Sequence, residues 1–230
     1  MVNRYTITNI SFISKTFKIN DENIQSIYNA YPTKKLPIIS LDNKESISYE
    51  HWGSTDEFSK NNTLANRLIN VDLNKAKKSN IISNQFKIDR CLIPCDGFYF
   101  WKNYSHKEKS PYYFKFLKDK LIYCVGIRET FEDFSGNKFR YFYFLTERSS
   151  DKWKNFTSKI PLVFDIRYLD IWFSKKTSLN KIINFINPIR LDDFSFYTVS
   201  PYFESNDRND ISLINPSENI NQYGNYSLFD

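Results

Sequence analysis

The sequence contains few of the residues on which several classes of protein depend. Its 230 residues include three cysteines, two histidines, five glycines and eight prolines. An odd number of cysteines argues against a disulfide framework, and the Cys and His residues lack the paired spacings of a zinc site. The low glycine and proline content excludes collagen-like and low-complexity chains. We therefore expect free thiols at Cys91, Cys95 and Cys124, no metal and no cofactor.

Long hydrophobic runs are also missing from the sequence. No stretch approaches the roughly 18 consecutive apolar residues that a membrane-spanning helix needs. Residues 1–9 lack the apolar region of a secretory signal peptide. The sequence accordingly predicts a cytoplasmic protein that does not contact membranes.

Aromatic residues, in contrast, are abundant. They make up 18% of the chain, and hydrophobic residues make up 41%. This composition excludes a disordered chain, because disorder requires few aromatic residues and little apolar burial. The formal net charge is +6, which permits an anionic partner such as nucleic acid but does not require one.

The pattern of apolar residues predicts many short strands. The candidate strands cover residues 4–18, 36–41, 45–52, 91–101, 112–117, 121–127, 139–146 and 196–199. The short connection at residues 118–120 predicts that 112–117 and 121–127 form a hairpin. Both faces of 139–146 are mostly apolar, which predicts a central strand.

Three short helices are predicted where a capping residue precedes an apolar stripe with helical spacing. The caps are Asp21, Asp165 and Ser178. Residues 55–78 are polar and predict a loop with one short helix. Together these elements predict a single α+β domain of mainly antiparallel strands over residues 1–216, followed by a polar tail at 217–230.

One segment resembles a known protein family. Residues 90–101 read Arg-Cys-Leu-Ile-Pro-Cys-Asp-Gly-Phe-Tyr-Phe-Trp. This stretch resembles the SRAP family, the SOS response-associated peptidases, whose members carry Arg-Cys-Leu-Ile-Pro-Ala-Asp-Gly-Phe-Tyr-Glu-Trp. Shorter matches follow the family's order along residues 1–216, at Trp52-Gly53, 66–70, 111–113, 145–147, 161–163 and Val199-Ser200. The resemblance implies a single SRAP-like domain.

The resemblance also implies chemistry at abasic sites in single-stranded DNA. Family members expose a Cys after removal of the initiating Met. Its α-amine condenses with the aldehyde of the ring-opened sugar, and its thiol closes a thiazolidine. An Asn positions this residue, a Glu and a His transfer protons, arginines hold phosphates, and a Trp helps to kink the strand.

This chain departs from the family at most of the chemical positions. Val2, Phe100 and Thr157 replace the Cys, the Glu and the His, and only Asn70 is retained. Asp72 replaces an Arg, where it is expected to repel phosphate. The residues to which the resemblance assigns DNA contacts are Arg67, Trp101, Lys159 and Trp52.

Three hypotheses about function remain open from the sequence. The first is a degenerate SRAP-fold protein that binds single-stranded or abasic DNA non-covalently in the DNA damage response. The second is a pseudoenzyme whose surface binds a protein partner. The third is a residual Schiff-base or lyase enzyme that uses the α-amine of Val2 once Met1 is removed. Cys95 lies an odd number of residues from Phe100, so on a regular strand it faces away from the site.

Overall fold

Thirteen strands and five short helices are formed by the residues that this computed structural model describes, which are 1–19, 24–53, 68–104, 108–118, 120–132 and 136–218. The strands are β1 Tyr5–Ile7, β2 Ile27–Ala30, β3 Lys35–Ser40, β4 Ser48–Trp52, β5 Asn70–Asp72, β6 Arg90–Cys95, β7 Gly97–Asn103, β8 Lys109–Phe116, β9 Ile122–Glu132, β10 Lys138–Arg148, β11 Lys159–Phe164, β12 Ile186–Pro188 and β13 Phe194–Thr198. The helices are α1 Ser11–Phe17, α2 Leu73–Lys78, α3 Asn80–Asp89, α4 Leu169–Phe173 and α5 Leu179–Ile183.

The strands form two mostly antiparallel sheets. A five-stranded sheet has the order β13-β8-β7-β1-β2, and an eight-stranded sheet has the order β12-β11-β9-β6-β3-β4-β10-β5. Strand β10 pairs antiparallel with β9 and β11 and parallel with β4 and β5. The protein is therefore an α+β domain, as the sequence predicts, with β10 in a central position.

Alternation along β7 separates two apolar clusters. Phe98 and Phe100 face the large core between the sheets, whereas Tyr99 and Trp101 face a smaller cluster around Phe203. Successive side chains of a strand point to opposite faces, so one aromatic run supplies both clusters. This arrangement decides which side chains of the 90–101 segment can reach a common site.

The 90–101 segment forms two strands that belong to different sheets. Strand β6 lies in the eight-stranded sheet and β7 in the five-stranded sheet, with Asp96 at the corner between them. A Cβ atom on Gly97 would lie 2.3 Å from the Tyr113 hydroxyl, so only glycine fits beside that ring. The sequence predicted a single bent strand here, and the corner corrects that prediction.

Arg90 begins this segment and is fully buried. Its guanidinium donates hydrogen bonds to the carbonyl oxygens of Trp172 and Ser174 at the end of α4 and of Lys87 near the end of α3. Carbonyls at helix C-termini lack partners within the helix and attract cations. Arg90 therefore fastens two helices to the eight-stranded sheet.

Several local predictions were wrong. Residues 112–117 and 121–127 do not form a hairpin with each other. Strand β8 pairs with β7 and β13, whereas β9 pairs with β6, β10 and β11. Residues 4–18 contain only one strand, followed by α1, and β2 replaces the end of the helix predicted after Asp21. Asp21 itself lies outside the described residues.

The late part of the chain follows the predictions more closely. The side chains of Asp165 and Ser178 accept hydrogen bonds from the backbone at Arg167 and Lys181, as expected for N-caps. The end of the described chain is held against the domain, since Leu213 is buried and the Ser217 amide donates a hydrogen bond to the Thr198 carbonyl. Residues 219–230 of the predicted tail lie outside the described part of the chain. Within that part, no helix is long and apolar enough to cross a membrane.

Candidate functional site

Val2 lies inside the domain, where Asn70 holds its backbone. Val2 is fully buried, and Asn70 Nδ2 donates a 2.7 Å hydrogen bond to its carbonyl oxygen. Asn70 begins β5, which pairs parallel with β10 at Phe144. The central strand thus fixes the amide that positions residue 2.

Thr157 binds the α-amine of Met1 at the start of the chain. The Met1 amine donates a 2.5 Å hydrogen bond to Thr157 Oγ1, and this hydroxyl in turn donates to the Lys159 carbonyl at 2.9 Å. The resemblance places a proton-transferring His at position 157. Threonine accepts the amine in its place, but a hydroxyl does not titrate near neutral pH.

Burial alters the acidity of this amine. Removal from water, and secondarily the nearby charge of Lys159, lower the pKa of the Met1 amine below its ordinary value of 8.0. Both effects disfavour the charged form. A larger fraction of this amine is therefore neutral and nucleophilic near neutral pH than in a solvated N-terminus.

Lys159 is paired with the acidic residue that replaces the family's arginine. Its Nζ lies 3.4 Å from Asp72 Oδ2. Asp72 Oδ1 also accepts from the Asn74 amide and caps α2. Glu147 lies nearby, and its pKa is raised by burial and then by the Asp72 charge. Asp72 therefore partly neutralises the charge of Lys159, the residue expected to bind phosphate.

Phe100 fills the position of the family's glutamate with a buried ring. It is 3% exposed and packs edge-on against Phe114 and Trp153, with ring centroids 5.4 and 5.8 Å apart. The Trp153 carbonyl accepts from the Thr157 amide. Phe100 therefore lies in the wall behind the N-terminal site and offers no group that can move a proton.

Two other predicted site residues, Trp101 and Trp52, do not join this group. Trp101 lies on the opposite face of β7, where its Nε1 donates to Glu204 Oε1. Trp52 is 0% exposed, and its Nε1 donates to the Ile69 carbonyl. The predicted DNA contact at Trp52 is corrected accordingly, because a fully buried ring has no surface for DNA. Arg67 lies outside the described residues.

The cysteines lie in the core and away from solvent. All three are free and fully buried. Burial raises the pKa of the Cys91 and Cys95 thiols well above the ordinary value. Because the thiolate is the nucleophile, neither thiol is poised for reaction. Cys95 ends β6, so it belongs to a different sheet from Phe100.

Two features of the site were not found from the sequence. Asn70 Oδ1 is buried and has no hydrogen-bond partner among the described residues. The pairing of Asp72 with Lys159 was also missed, since the sequence treats each charge separately. Asp72 and Lys159 meet only because β5 and β11 pair with opposite sides of β10. A contact between residues so far apart in sequence leaves no signal in the local sequence.

Comparisons with known proteins identify related sequences. The family model for SOS response associated peptidase (SRAP) matches residues 1–205. The abasic site processing protein YoaM of Bacillus subtilis is 23% identical over 198 residues, which is 85% of this chain and 87% of that protein. The abasic site processing protein YoqW of Bacillus phage SPbeta is 23% identical over 189 residues, covering 81% and 84%.

Solved structures share the fold. A crystal structure of a protein from Bacteroides thetaiotaomicron superposes with a TM-score of 0.79 at 15% identity, covering 93% of this chain and 99% of that one. A phage-related protein from Bordetella bronchiseptica gives a TM-score of 0.64 at 18% identity, covering 86% and 93%. At such low identity, these likenesses establish the architecture alone.

Proposed function

The chain belongs to the SRAP family, and on that premise we propose that it binds single-stranded DNA at abasic sites non-covalently, as part of the response to DNA damage. One observation carries the proposal. The N-terminal residues are held as a reactive N-terminus would need to be, by Asn70 and Thr157, while the thiol, the carboxyl and the imidazole of the family are replaced. This arrangement supports a protein that binds the strand but lacks the groups needed to form a lasting bond.

The unpaired oxygen of Asn70 supports a ligand at this site. A buried acceptor without a donor costs about 1–3 kcal/mol. Asn70 Oδ1 belongs to the same amide whose Nδ2 holds Val2. A sugar hydroxyl at an abasic position could donate to it. The relatives named as abasic site processing proteins favour this ligand over others that carry hydroxyl groups.

Fluorescence anisotropy with labelled single-stranded oligonucleotides tests the proposal directly. We expect binding that weakens with salt, because phosphate contacts release counterions. An oligonucleotide with a borohydride-reduced abasic site, which cannot form an imine but whose free hydroxyls can donate to Asn70 Oδ1, is expected to bind more tightly than an intact one. No measurable binding at low salt would contradict the proposal and favour the alternative of a pseudoenzyme that binds a protein partner.

Substitution of Asp72 is expected to strengthen DNA binding. Asp72→Asn removes the charge that pairs with Lys159 but keeps an oxygen that can cap α2, since Asn and Asp are similar caps. The freed Lys159 can then reach a phosphate, which is expected to steepen the salt dependence by about one unit. Asp72→Arg is expected to strengthen binding further. The measurement is affinity against salt concentration.

A matched control separates this local effect from a change in net charge. Asp192 pairs with Lys152 on the surface, with contacts of 2.8 and 3.0 Å. Asp192→Asn therefore also removes one negative charge and frees one lysine. We expect it to leave the affinity almost unchanged. Equal effects of the two substitutions would mean that the Asp72–Lys159 pair does not lie against phosphate.

The low pKa of the N-terminal amine favours a second, weaker activity. A neutral amine can attack the abasic aldehyde, with loss of water, to give an imine. With Met1 retained, so that its amine takes the place of the Val2 amine, we expect slight trapping by cyanoborohydride on abasic DNA, rising with pH and reaching half its maximum below the ordinary value of 8.0, because the pKa of the Met1 amine is lowered.

Substitution of Lys159 tests the direction in which the pKa of the Met1 amine is shifted. Its charge lowers the pKa of the amine, so Lys159→Gln is expected to move the trapping profile to higher pH. Blocking the N-terminal amine by acetylation serves as the control and is expected to abolish the trapped product. A product that maps to lysine side chains instead would exclude the N-terminal amine as the nucleophile.

A further inference from the structure

A group of aromatic rings surrounds Lys102 beyond the core of the five-stranded sheet. Lys102 Nζ lies 4.8 Å from the ring centroid of Tyr104, 5.7 Å from that of Tyr112 and 5.8 Å from that of Phe156. Phe196 on the edge strand β13 lies next to Tyr112 and Phe156, at 6.1 and 5.7 Å between centroids. We call these five residues the Lys102 platform.

The platform faces solvent and is supported from below. Tyr104 is 46% exposed and Phe196 42% exposed. Phe196 stacks on the buried ring of Phe114 at 5.1 Å, and the hydroxyls of Tyr104 and Tyr112 are hydrogen-bonded at 3.1 Å. The rings are therefore held in fixed positions by the core, although their outer surfaces remain open.

The platform is continuous with the site at the N-terminus. Phe100 and Lys102 lie on the same face of β7, because successive side chains alternate. Phe156 directly precedes Thr157, whose hydroxyl accepts the Met1 amine. The amide of Asn103 also donates to the carbonyl of Asn155, which joins the end of β7 to this turn. A strand of DNA that reaches the N-terminal site can continue onto the platform.

The chemistry of the platform suits nucleic acid. Lys102 pairs with no carboxylate of the described residues, so its charge is available to a phosphate. Burial and the bond to Tyr104 raise the pKa of Tyr112 to about 12, so this phenol is neutral and does not repel phosphate. Open aromatic faces beside a cation are what single-strand binding proteins offer to successive bases.

From these observations we propose that the Lys102 platform is a second DNA subsite, which stacks an unpaired base near the abasic position and binds its phosphate through Lys102. This subsite rests on the proposed function, because its ligand is the strand that carries the abasic position. It adds a preference for a base at one defined distance from the lesion, which the N-terminal site cannot supply.

Affinity measurements with modified oligonucleotides test the subsite. In one series, each nucleotide around a central tetrahydrofuran residue is replaced in turn by a second tetrahydrofuran, which removes one base and keeps the phosphate. We expect one position at which the unaltered protein loses about fivefold or more in affinity, the usual scale for one base–aromatic stack. Phe196→Ala is expected to show a similar loss with the full oligonucleotide and no further loss at that position.

Two further variants keep the test decisive. Lys102→Gln retains the side-chain stem and is expected to weaken binding and lower the salt dependence, even if Phe196→Ala folds poorly. Tyr202→Ala is the matched control, because Tyr202 is 62% exposed and lies under Arg208 at 5.0 Å, outside the platform. It is expected to bind DNA like the unaltered protein.

The outcomes separate the two proposals. If the unaltered protein binds no single-stranded DNA, the proposed function fails together with the subsite. If it binds but Phe196→Ala and Lys102→Gln bind equally well, only the subsite is overturned, and the platform is left for a protein partner. Equal losses in Phe196→Ala and Tyr202→Ala would likewise overturn it.

Discussion

Incubated with a single-stranded oligonucleotide that carries one abasic site, the unaltered protein is expected to form no heat-stable crosslink in the absence of reductant. The N-terminal amine can form an imine with the aldehyde, but imines hydrolyse readily. Ring closure needs a thiol on the residue that carries the amine, and neither Met1 nor, after removal of Met1, Val2 has one. The three thiols of the core are buried and cannot replace it. Denaturing gels run after heating give the measurement.

Restoring the family's groups is expected to reverse this result. Val2→Cys alone is expected to gain little, because Phe100 and Thr157 cannot transfer protons, and each lost acid or base costs about 10²–10⁴-fold in rate. Once Met1 is removed, Val2→Cys combined with Phe100→Glu and Thr157→His is expected to form a stable crosslink. The carboxyl at position 100 enters an aromatic wall between Phe114 and Trp153, so the melting temperature of each variant must be compared.

A serine version of the triple variant is the matched control for this experiment. It has the same Phe100→Glu and Thr157→His changes but carries Val2→Ser, whose hydroxyl is a much weaker nucleophile than a thiol. We expect no stable product from it. A heat-stable crosslink from the unaltered protein would overturn the view that the covalent chemistry is lost, and Cys95 would be the first residue to replace.

The 90–101 segment carried most of what the sequence revealed about the fold. Its resemblance identified the family, and the family model over residues 1–205 confirms it. Local patterns were reliable where a strand is long and apolar on both faces, as in β10. They identified β8 and β9 as strands but gave the wrong pairing, because the short connection at 118–120 says nothing about which sheet each strand enters. That choice is made by distant partners such as β13 and β6.

In the site, too, some features could be predicted from the sequence, whereas others depend on contacts between segments that are far apart in the chain. The positions of Val2, Asn70 and Thr157 follow from the resemblance, and the structure brings these residues together. The burial of Trp52 and the separation of Trp101 from Phe100 depend instead on how the sheets pack. Asp72 was expected to act as a free charge that repels phosphate. It is paired with Lys159, because β10 aligns segments that are far apart in sequence.

Asp96 connects the family segment to the N-terminal site through the fold. Its carboxylate is 3% exposed and lies at the corner between β6 and β7. It accepts hydrogen bonds from Thr6 Oγ1 at 2.5 Å, from the amide and hydroxyl of Thr8 at 2.6 and 2.8 Å, and from the amide of Asn9 at 2.8 Å. These bonds fasten the middle of β1, the strand that follows Val2, and the two residues after its end. The Asp-Gly pair of the segment therefore positions the N-terminus without taking part in its chemistry.

Asp96→Ala is expected to lower the free energy of unfolding by about 3–5 kcal/mol, because it leaves several buried donors without an acceptor. Chemical denaturation measures this loss, and faster hydrogen exchange of the amides at Thr8 and Asn9 would locate it at the N-terminal strand. Asp192→Ala removes an exposed carboxylate that pairs with the exposed Lys152, so it is expected to leave the denaturation midpoint unchanged. If both variants had the same midpoint, Asp96 would not be what holds β1, and the position of Val2 would have to depend on Asn70 and Thr157 alone.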